Sequence, residues 1–417
     1  MHRGSLFRHA DFRRLWAGDT ASQLGTFVGN TAVPLLAAVT LAATPFEMGL
    51  LTAAETLAFL LIGLPAGVWV DRLSRRRVML TADFTRFALL LSVPIAWWAG
   101  VLTLAQLLVV VLFVGIATVF FDIAYQSYLP SLVGREHLLE GNAKLQAVQS
   151  TAQIAGPSAA GVLVQAISAA NTVLVTSVGY LTSALFLLRI RAVEPAPERD
   201  GHTRLLPLMA EGLRFVFSDK PLRAIVGTTG TANFFGGAYT AVYVLFLTRT
   251  VGLAPAAVGA LLAVGGAGGI LGAVCSSAVT RRIGQARSIW LVPLCTLPGH
   301  LMLPIAAPGW RLGLAGFGAV LGWFGIIVYN VAAVSYRQAI CPDRLLGRMN
   351  ASVRFVVWGV IPLGGLLGGA LGEGLGLRGA MWVAVAGEAA AVLWVVCSPL
   401  RHMRDLPTAA KSASAAA

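Results

Sequence analysis

Four acidic residues stand inside long apolar stretches of this sequence: Asp19, Glu55, Asp122 and Glu388. A carboxyl group held away from water can take up and release a proton at a pH that its surroundings set, so each is a candidate proton carrier. Asp19 leads a polar series, Asp19, Gln23, Thr26 and Asn30, at spacings of 4, 3 and 4. On a helix these four fall within about 60° of one face. A polar stripe of that kind faces protein or a wet cavity, not lipid. Thr229, Asn233, Gly236 and Thr240 occupy the same four positions 210 residues later. Two further series, Thr118, Asp122, Tyr125 and Gln126, and Gln146, Gln149, Ser150 and Gln153, add amides, a phenol and an acid to one face of their stretches. With the aromatic Tyr239 and Tyr243, this chemistry suits reversible proton binding beside a small-molecule cavity. For every one of these residues the plainer alternative is a hydrogen bond between helices. That alternative is taken for Glu388, for Asp83 and Arg86 at i and i+3, and for His300, which reads as a packed core residue. The cysteines Cys275, Cys295, Cys341 and Cys397 are scattered, with no metal-ligand or disulfide spacing. No metal, cofactor or enzyme chemistry is expected, and no phosphate-binding loop of the Walker type appears.

The elements that must carry these residues are set by hydropathy. Of 417 residues, 57% are hydrophobic and 12% charged, and the mean hydropathy is +0.77. A soluble domain carries roughly twice that share of charge. The apolar runs are long and continuous, which points to spanning helices rather than alternating barrel strands. Spans are predicted at about 15–38, 47–70, 78–100, 103–128, 144–166, 169–188, 222–247, 255–279, 286–306, 311–336, 351–373 and 378–397. The expected fold is all-α, with twelve transmembrane helices in two six-helix bundles. The bundles occupy 1–188 and 222–397, joined by a polar, Pro-bearing linker over 189–221 and followed by a tail over 398–417. Residues 208–217 within the linker read as a surface helix. The N-terminal arginines run into the first span without a small-residue cleavage site, so that span reads as a retained helix.

The net charge of +13 does not gather into a nucleic-acid patch. Arg72 and Arg75 to Arg77, Arg135 and Lys144, Arg281, Arg282 and Arg287, and Arg337, Arg344 and Arg348 fall in alternate connections, whereas the opposite connections hold only Arg249, Arg311 and Arg378. Basic loops stay inside. The reading is a monomeric, multi-pass protein of the inner (plasma) membrane with both termini in the cytoplasm.

The halves repeat. Pro45 and Pro255, Gly49 and Gly259, Arg72 and Arg282, Arg77 and Arg287, and Gln23 and Asn233 all stand 210 residues apart. Copies separated by an even number of spans share an orientation, which gives a parallel repeat about an axis normal to the membrane.

Two motifs carry a resemblance. Gly67, Asp71, Arg72, Arg75, Arg76 and Arg77 resemble motif A of the major facilitator superfamily, with Ser74 in place of its glycine. Gly156, Pro157 and Gly161 resemble motif C of its antiporter branches. Phe12 to Trp16, Ser22 to Gly25, Tyr125 to Pro130 and Pro342 to Arg348 look like the efflux branch that includes macrolide-efflux and enterobactin-exporter proteins. The resemblance spans about Phe12 to Leu400. It implies a secondary transporter that exports a small amphipathic drug or metabolite by proton antiport and alternating access, with Asp71 in a gating role. Export of a siderophore or an endogenous metabolite, or uptake by symport, stands as the alternative. A membrane enzyme does not fit.

Overall fold

The computed structural model describes residues 6–134, 137–192, 205–341 and 343–405. The motif A positions Gly67 and Asp71, and Arg344 and Arg348 of the Pro342–Arg348 string, lie outside the residues whose side chains are described. Among the described residues all regular structure is helical. Seven segments there are long and apolar enough to cross a membrane. Several further helices fall short because they carry the polar series: Asp19 to Asn30, Gln146 to Gln153, and Thr229 to Thr240.

Local chemistry starts the helices where the sequence places caps. α1 (Ala10–Leu35) begins at His9, whose ring accepts from Phe12 N. α2 runs Pro45–Asp71. α3 (Arg75–Trp98) is capped by the Ser74 hydroxyl, which accepts from Arg77 N. Ser74 has φ −64°, so the serine that stands for the motif glycine needs no left-handed backbone. α4 (Leu104–Val133) begins on Thr103, and α5 (Leu138–Ile167) and α6 (Ala169–Leu188) meet at Ser168. A helix is present where one was expected at 208–217, as α7, Leu205–Ser218. Asp219 caps α8 (Lys220–Leu245) through Leu222 N. There follow α9 (Pro255–Ile283), α10 (Gln285–Met302), α11 (Trp310–Ile340), α12 (Asp343–Gly359) and α13 (Ile361–Val396). The helix break expected between 373 and 378 is a bend within α13 at Gly376, φ 72° and ψ 162°. A break that periodicity does not announce separates α12 from α13 at Val360.

The repeat is written into the backbone. α1 ends in a π-helical turn over Leu36–Thr40 and α8 in one over Phe246–Thr250, again 210 residues on. Positive φ recurs at matched positions: Ala42 and Gly252, Gly100 and Gly309, Ser168 and Gly376.

The chain forms two compact units. The first comprises Met1–Ala43, Ala54–His202 and Leu253–Ala263. In it α1 lies against α5 and α6, and α3 against α4 and α6. Small residues let α1 and α6 approach: a Cβ at Gly25 would stand 3.1 Å from Thr176 O, and one at Gly179 2.8 Å from Ala21 O. Close contact by small residues is how helices associate where lipid removes the hydrophobic drive. The second unit comprises Thr44–Ala53, Thr203–Gly252 and Val264–Ala417. There α13 packs along α8, α10 lies on α11 and α13, and α12 on α7 and α8.

Candidate functional site

The first unit closes around a polar core. Asp19 of α1 is 3% exposed. Gln23 Nε2 lies 3.5 Å from its Oδ1, while Oδ2 has no hydrogen-bond partner among the described residues. Tyr125 of α4 brings its hydroxyl to the same carboxylate, and Asp83 and Asp122 lie within electrostatic range. Asp83, fully buried, and Arg86, 2% exposed, form an ion pair on α3. The Arg86 guanidinium is sandwiched by the rings of Phe121, at 4.3 Å, and Tyr180, at 4.2 Å. Stacking on two aromatic faces suits a planar, weakly hydrated cation removed from water. The Tyr180 hydroxyl in turn lies 3.0 Å from Thr26 Oγ1. Three carboxylates, one guanidinium and two phenols from α1, α3, α4 and α6 thus share one buried network.

Of the residues singled out by spacing, Asp19, Gln23, Tyr125 and Asp122 converge there. Thr26 joins through Tyr180, a partner that periodicity on α1 does not reveal. Asn30, Gln126, Gln146 and Gln149 are exposed and Gln153 is half-buried. Glu55 stands apart, half-buried on α2, at the level where Gly115 of α4 meets its carbonyl.

In the second unit, Asn233 Nδ2 donates to Val357 O at 2.7 Å, so this amide ties α8 to α12. Thr229 Oγ1 lies 2.8 Å from the Tyr329 hydroxyl. Thr240 is exposed and turns its hydroxyl back to Gly236 O. Tyr243 is buried and stacked on Tyr239, with ring centroids 4.6 Å apart. The two residues read as core and interhelical contact meet: His300 Nδ1 on α10 lies 2.7 Å from Glu388 Oε2 on α13. The signal that would have joined them is a histidine and an acid in two apolar spans of one repeat, since each alone is unremarkable.

Motif A ends on a helix cap. Arg76 donates to Leu187 O at 2.9 Å and Leu188 O at 2.7 Å, placing a cation on the last carbonyls of α6, where the helix dipole favours it. Arg72 and Arg77 are exposed, and Arg75 is half-buried. At the same end, Asp11 holds Arg14 at 2.6 Å and accepts from Arg191 N at 3.2 Å. Burial pushes the Asp11 carboxyl up, but the Arg191 N–H and the Arg14 guanidinium outweigh it and hold the group below the usual carboxylate range.

Motif C makes close approaches. A Cβ at Gly161 would stand 2.5 Å from Pro255 O and 3.0 Å from Gly259 Cα. One at Gly156 would collide with Phe27 of α1, and one at Gly259 with Pro157 O. The motif glycines therefore let α5 touch the backbones of α1 and of the first turns of α9. A matching stripe was not singled out from sequence: Gly365 and Gly369 of α13 reach Gly49 and Pro45 at the start of α2 inside the second unit.

A helical membrane protein built of two repeated units, with charged groups buried between its helices, defines a membrane transporter rather than an enzyme. The chain matches the transmembrane secretion effector family over residues 4–415, and it belongs to that family, within the major facilitator superfamily. The multidrug efflux pump Tap of Mycolicibacterium fortuitum is 29% identical over 379 residues, 88% of this chain and 90% of that protein. The enterobactin exporter EntS of Escherichia coli is 26% identical over 422 residues, 96% of this chain and 95% of that protein. Among solved structures, a bacterial homologue of the iron transporter ferroportin in an inward-facing state superposes with a TM-score of 0.75 at 14% identity, over 94% of this chain and 99% of that one. The last likeness concerns the fold alone.

Proposed function

We propose that this protein exports a small amphipathic molecule, a drug or a secondary metabolite, by proton antiport through alternating access. The observation that carries the reading is the Asp19 core. Asp19 is nearly out of contact with solvent, and one of its carboxylate oxygens has no hydrogen-bond partner among the described residues. Asp83 and Asp122 share its surroundings, with Arg86 as the counter-charge shown among the described residues. When every acid is ionised, these four groups carry an excess of negative charge that a buried site stabilises poorly. Binding a proton relieves the excess, and releasing it restores the charge, so occupancy by a proton biases a two-state conformational equilibrium. Glu55 and Asp122 are the other proposed coupling acids.

The proposed frame is twelve spanning helices in two six-helix bundles joined through 189–221, a monomer in the plasma membrane with both termini cytoplasmic. Gln23, Thr26, Asn30, Tyr125, Gln126, Gln146, Gln149, Gln153, Asn233, Thr240 and Tyr243 are the proposed cavity residues. The motif A arginines and Asp71 act as the gate. The relatives' printed roles, multidrug efflux and enterobactin export, support export over uptake. The test uses everted vesicles with an acidified lumen. Cationic dyes, macrolides and a catecholate siderophore are added in turn, and dissipation of the pH gradient is recorded. Dissipation in wild type that is lost in Asp19→Asn at equal protein level is expected. Equal dissipation in both overturns the assignment of Asp19.

A further inference from the structure

In the second unit, the His300–Glu388 pair joins the helices that correspond to α3 and α6 of the first. α3 and α10 are corresponding helices, as are α4 and α11, α6 and the second leg of α13, and α1 and α8. In the first unit the cation on α3 is enclosed by rings from α4 and α6, and the α6 ring reaches Thr26 on α1. In the second, the imidazole on α10 meets a carboxylate on α13. Gly236, 210 residues after Thr26, leaves that carboxylate room on α8: a Cβ there would stand 3.4 Å from Glu388 Oε1. Each repeat thus carries an acid–base pair on corresponding helices, within α3 in the first and between α10 and α13 in the second. In the first repeat the base is an arginine, which keeps its proton. In the second it is a histidine, which does not.

The surroundings of the ring favour a bound proton by geometry. Nδ1 faces Glu388 Oε2 at 2.7 Å. On the other side Gly322 of α11 comes so close that a Cβ would stand 2.8 Å from Nε2. A neutral imidazole donates from one nitrogen only, whereas an imidazolium donates from both. A carboxylate 2.7 Å from Nδ1 is an acceptor that the protonated ring satisfies. The side chains of His300 and Glu388 are each 17% exposed, buried enough to strengthen the pairing. The titratable groups that face them are Tyr239 of α8, beside Glu388, with Tyr243 stacked behind it. α11 presents Gly322, and no lysine or arginine ion-pairs with Glu388 among the described residues.

We propose that His300 and Glu388 form a second proton-binding site of this transporter, holding one exchangeable proton independently of the Asp19 core. Proton binding there stands on its own geometry, and only its link to export rests on the proton-antiport reading. The proposed proton lies between Nδ1 and Oε2, so the site needs both partners.

The test measures proton uptake by the full-length purified protein in detergent on acidification, with a soluble pH-indicator dye in weak buffer. His300→Gln, Glu388→Gln, the double variant and Asp19→Asn are compared with wild type, each checked for a monodisperse folded state. Either single change is expected to lower uptake by about one proton per chain, the double no further, and Asp19→Asn to lower it separately and additively. Uptake unchanged in both His300→Gln and Glu388→Gln overturns the site, as does an additive loss in the double variant. The vesicle assay separates the two ideas. If no compound dissipates the gradient but the uptake deficit remains, the site stands and the antiport reading falls. If Asp19-dependent dissipation holds while the deficit is missing, the second site falls alone.

Discussion

Arg86 shows how a single residue can be fixed by its surroundings. Its guanidinium lies between two rings and against Asp83, with almost no access to solvent. Removing one partner of such a pair leaves a bare charge and costs about 3–5 kcal/mol, whereas replacing both by apolar groups is close to neutral. Asp83→Leu alone is therefore expected to collapse the yield of folded protein, and Asp83→Leu with Arg86→Met to restore it, read as the monodisperse fraction in detergent. Recovery of folding without recovery of transport would separate the pair's structural role from any part in coupling. Asp11 gives the opposite case, an acid at the basic end of α1. Its carboxyl is held low, so its contribution is complete above the ordinary carboxylate range and disappears as pH falls through the depressed value. Asp11→Asn is expected to lower the apparent melting temperature modestly at neutral pH, from a loss of up to about 1 kcal/mol, and to match wild type in acid. At this scale the sequence was legible where partners are neighbours on one helix. The i, i+3 spacing of Asp83 and Arg86 is an ion pair in the structure, and Asp19 and Gln23 of the α1 series meet while Asn30 is exposed. The contacts Thr26–Tyr180 and His300–Glu388 join helices far apart in the chain, and no periodicity within one helix encodes them.

Two elements test how small residues and backbone geometry act differently. Gly376 bends α13 at φ 72° and ψ 162° with nothing within 4 Å of a Cβ built there. The cost of Gly376→Ala is then pure backbone strain, about 1–3 kcal/mol, and a lower melting temperature with unchanged transport kinetics in the surviving protein is expected. Its repeat mate Ser168 holds φ 84° and ψ 160° without being glycine, so Ser168→Gly is expected to stabilise. Gly161 is helical, and its constraint is the Pro255 carbonyl 2.5 Å from a Cβ. Overpacking of that kind costs about 1–3 kcal/mol, which shifts a conformational equilibrium about ten- to a hundredfold. Gly161→Ala should keep its abundance and lose most of its transport. Motif C was legible because proline and glycine punctuate an apolar span. The α13 stripe was not, since glycine in a membrane helix is common and only the facing backbone gives it meaning.

For the whole molecule the repeat carries the argument. An offset of 210 residues, visible in a handful of prolines, glycines and arginines, reappears as paired π-helical turns and paired positive-φ residues. Duplicated sequence therefore folds into duplicated local geometry, and the superfamily fold was readable before any coordinates. What composition did not deliver is the helix count, because the helices with polar series dilute the very hydropathy by which spans are recognised. The proposed orientation rests on the basic residues through a physical rule: positive loops stay on the cytoplasmic side. A reporter active only in the cytoplasm, fused after Asp405 or inserted at Ser74, is expected to be active, and one inserted at Gly252 inactive. Activity at Gly252 would reverse the proposed topology. It would also place the Arg76 cap on the outer side, where a gate responding to the cytoplasmic side could not operate.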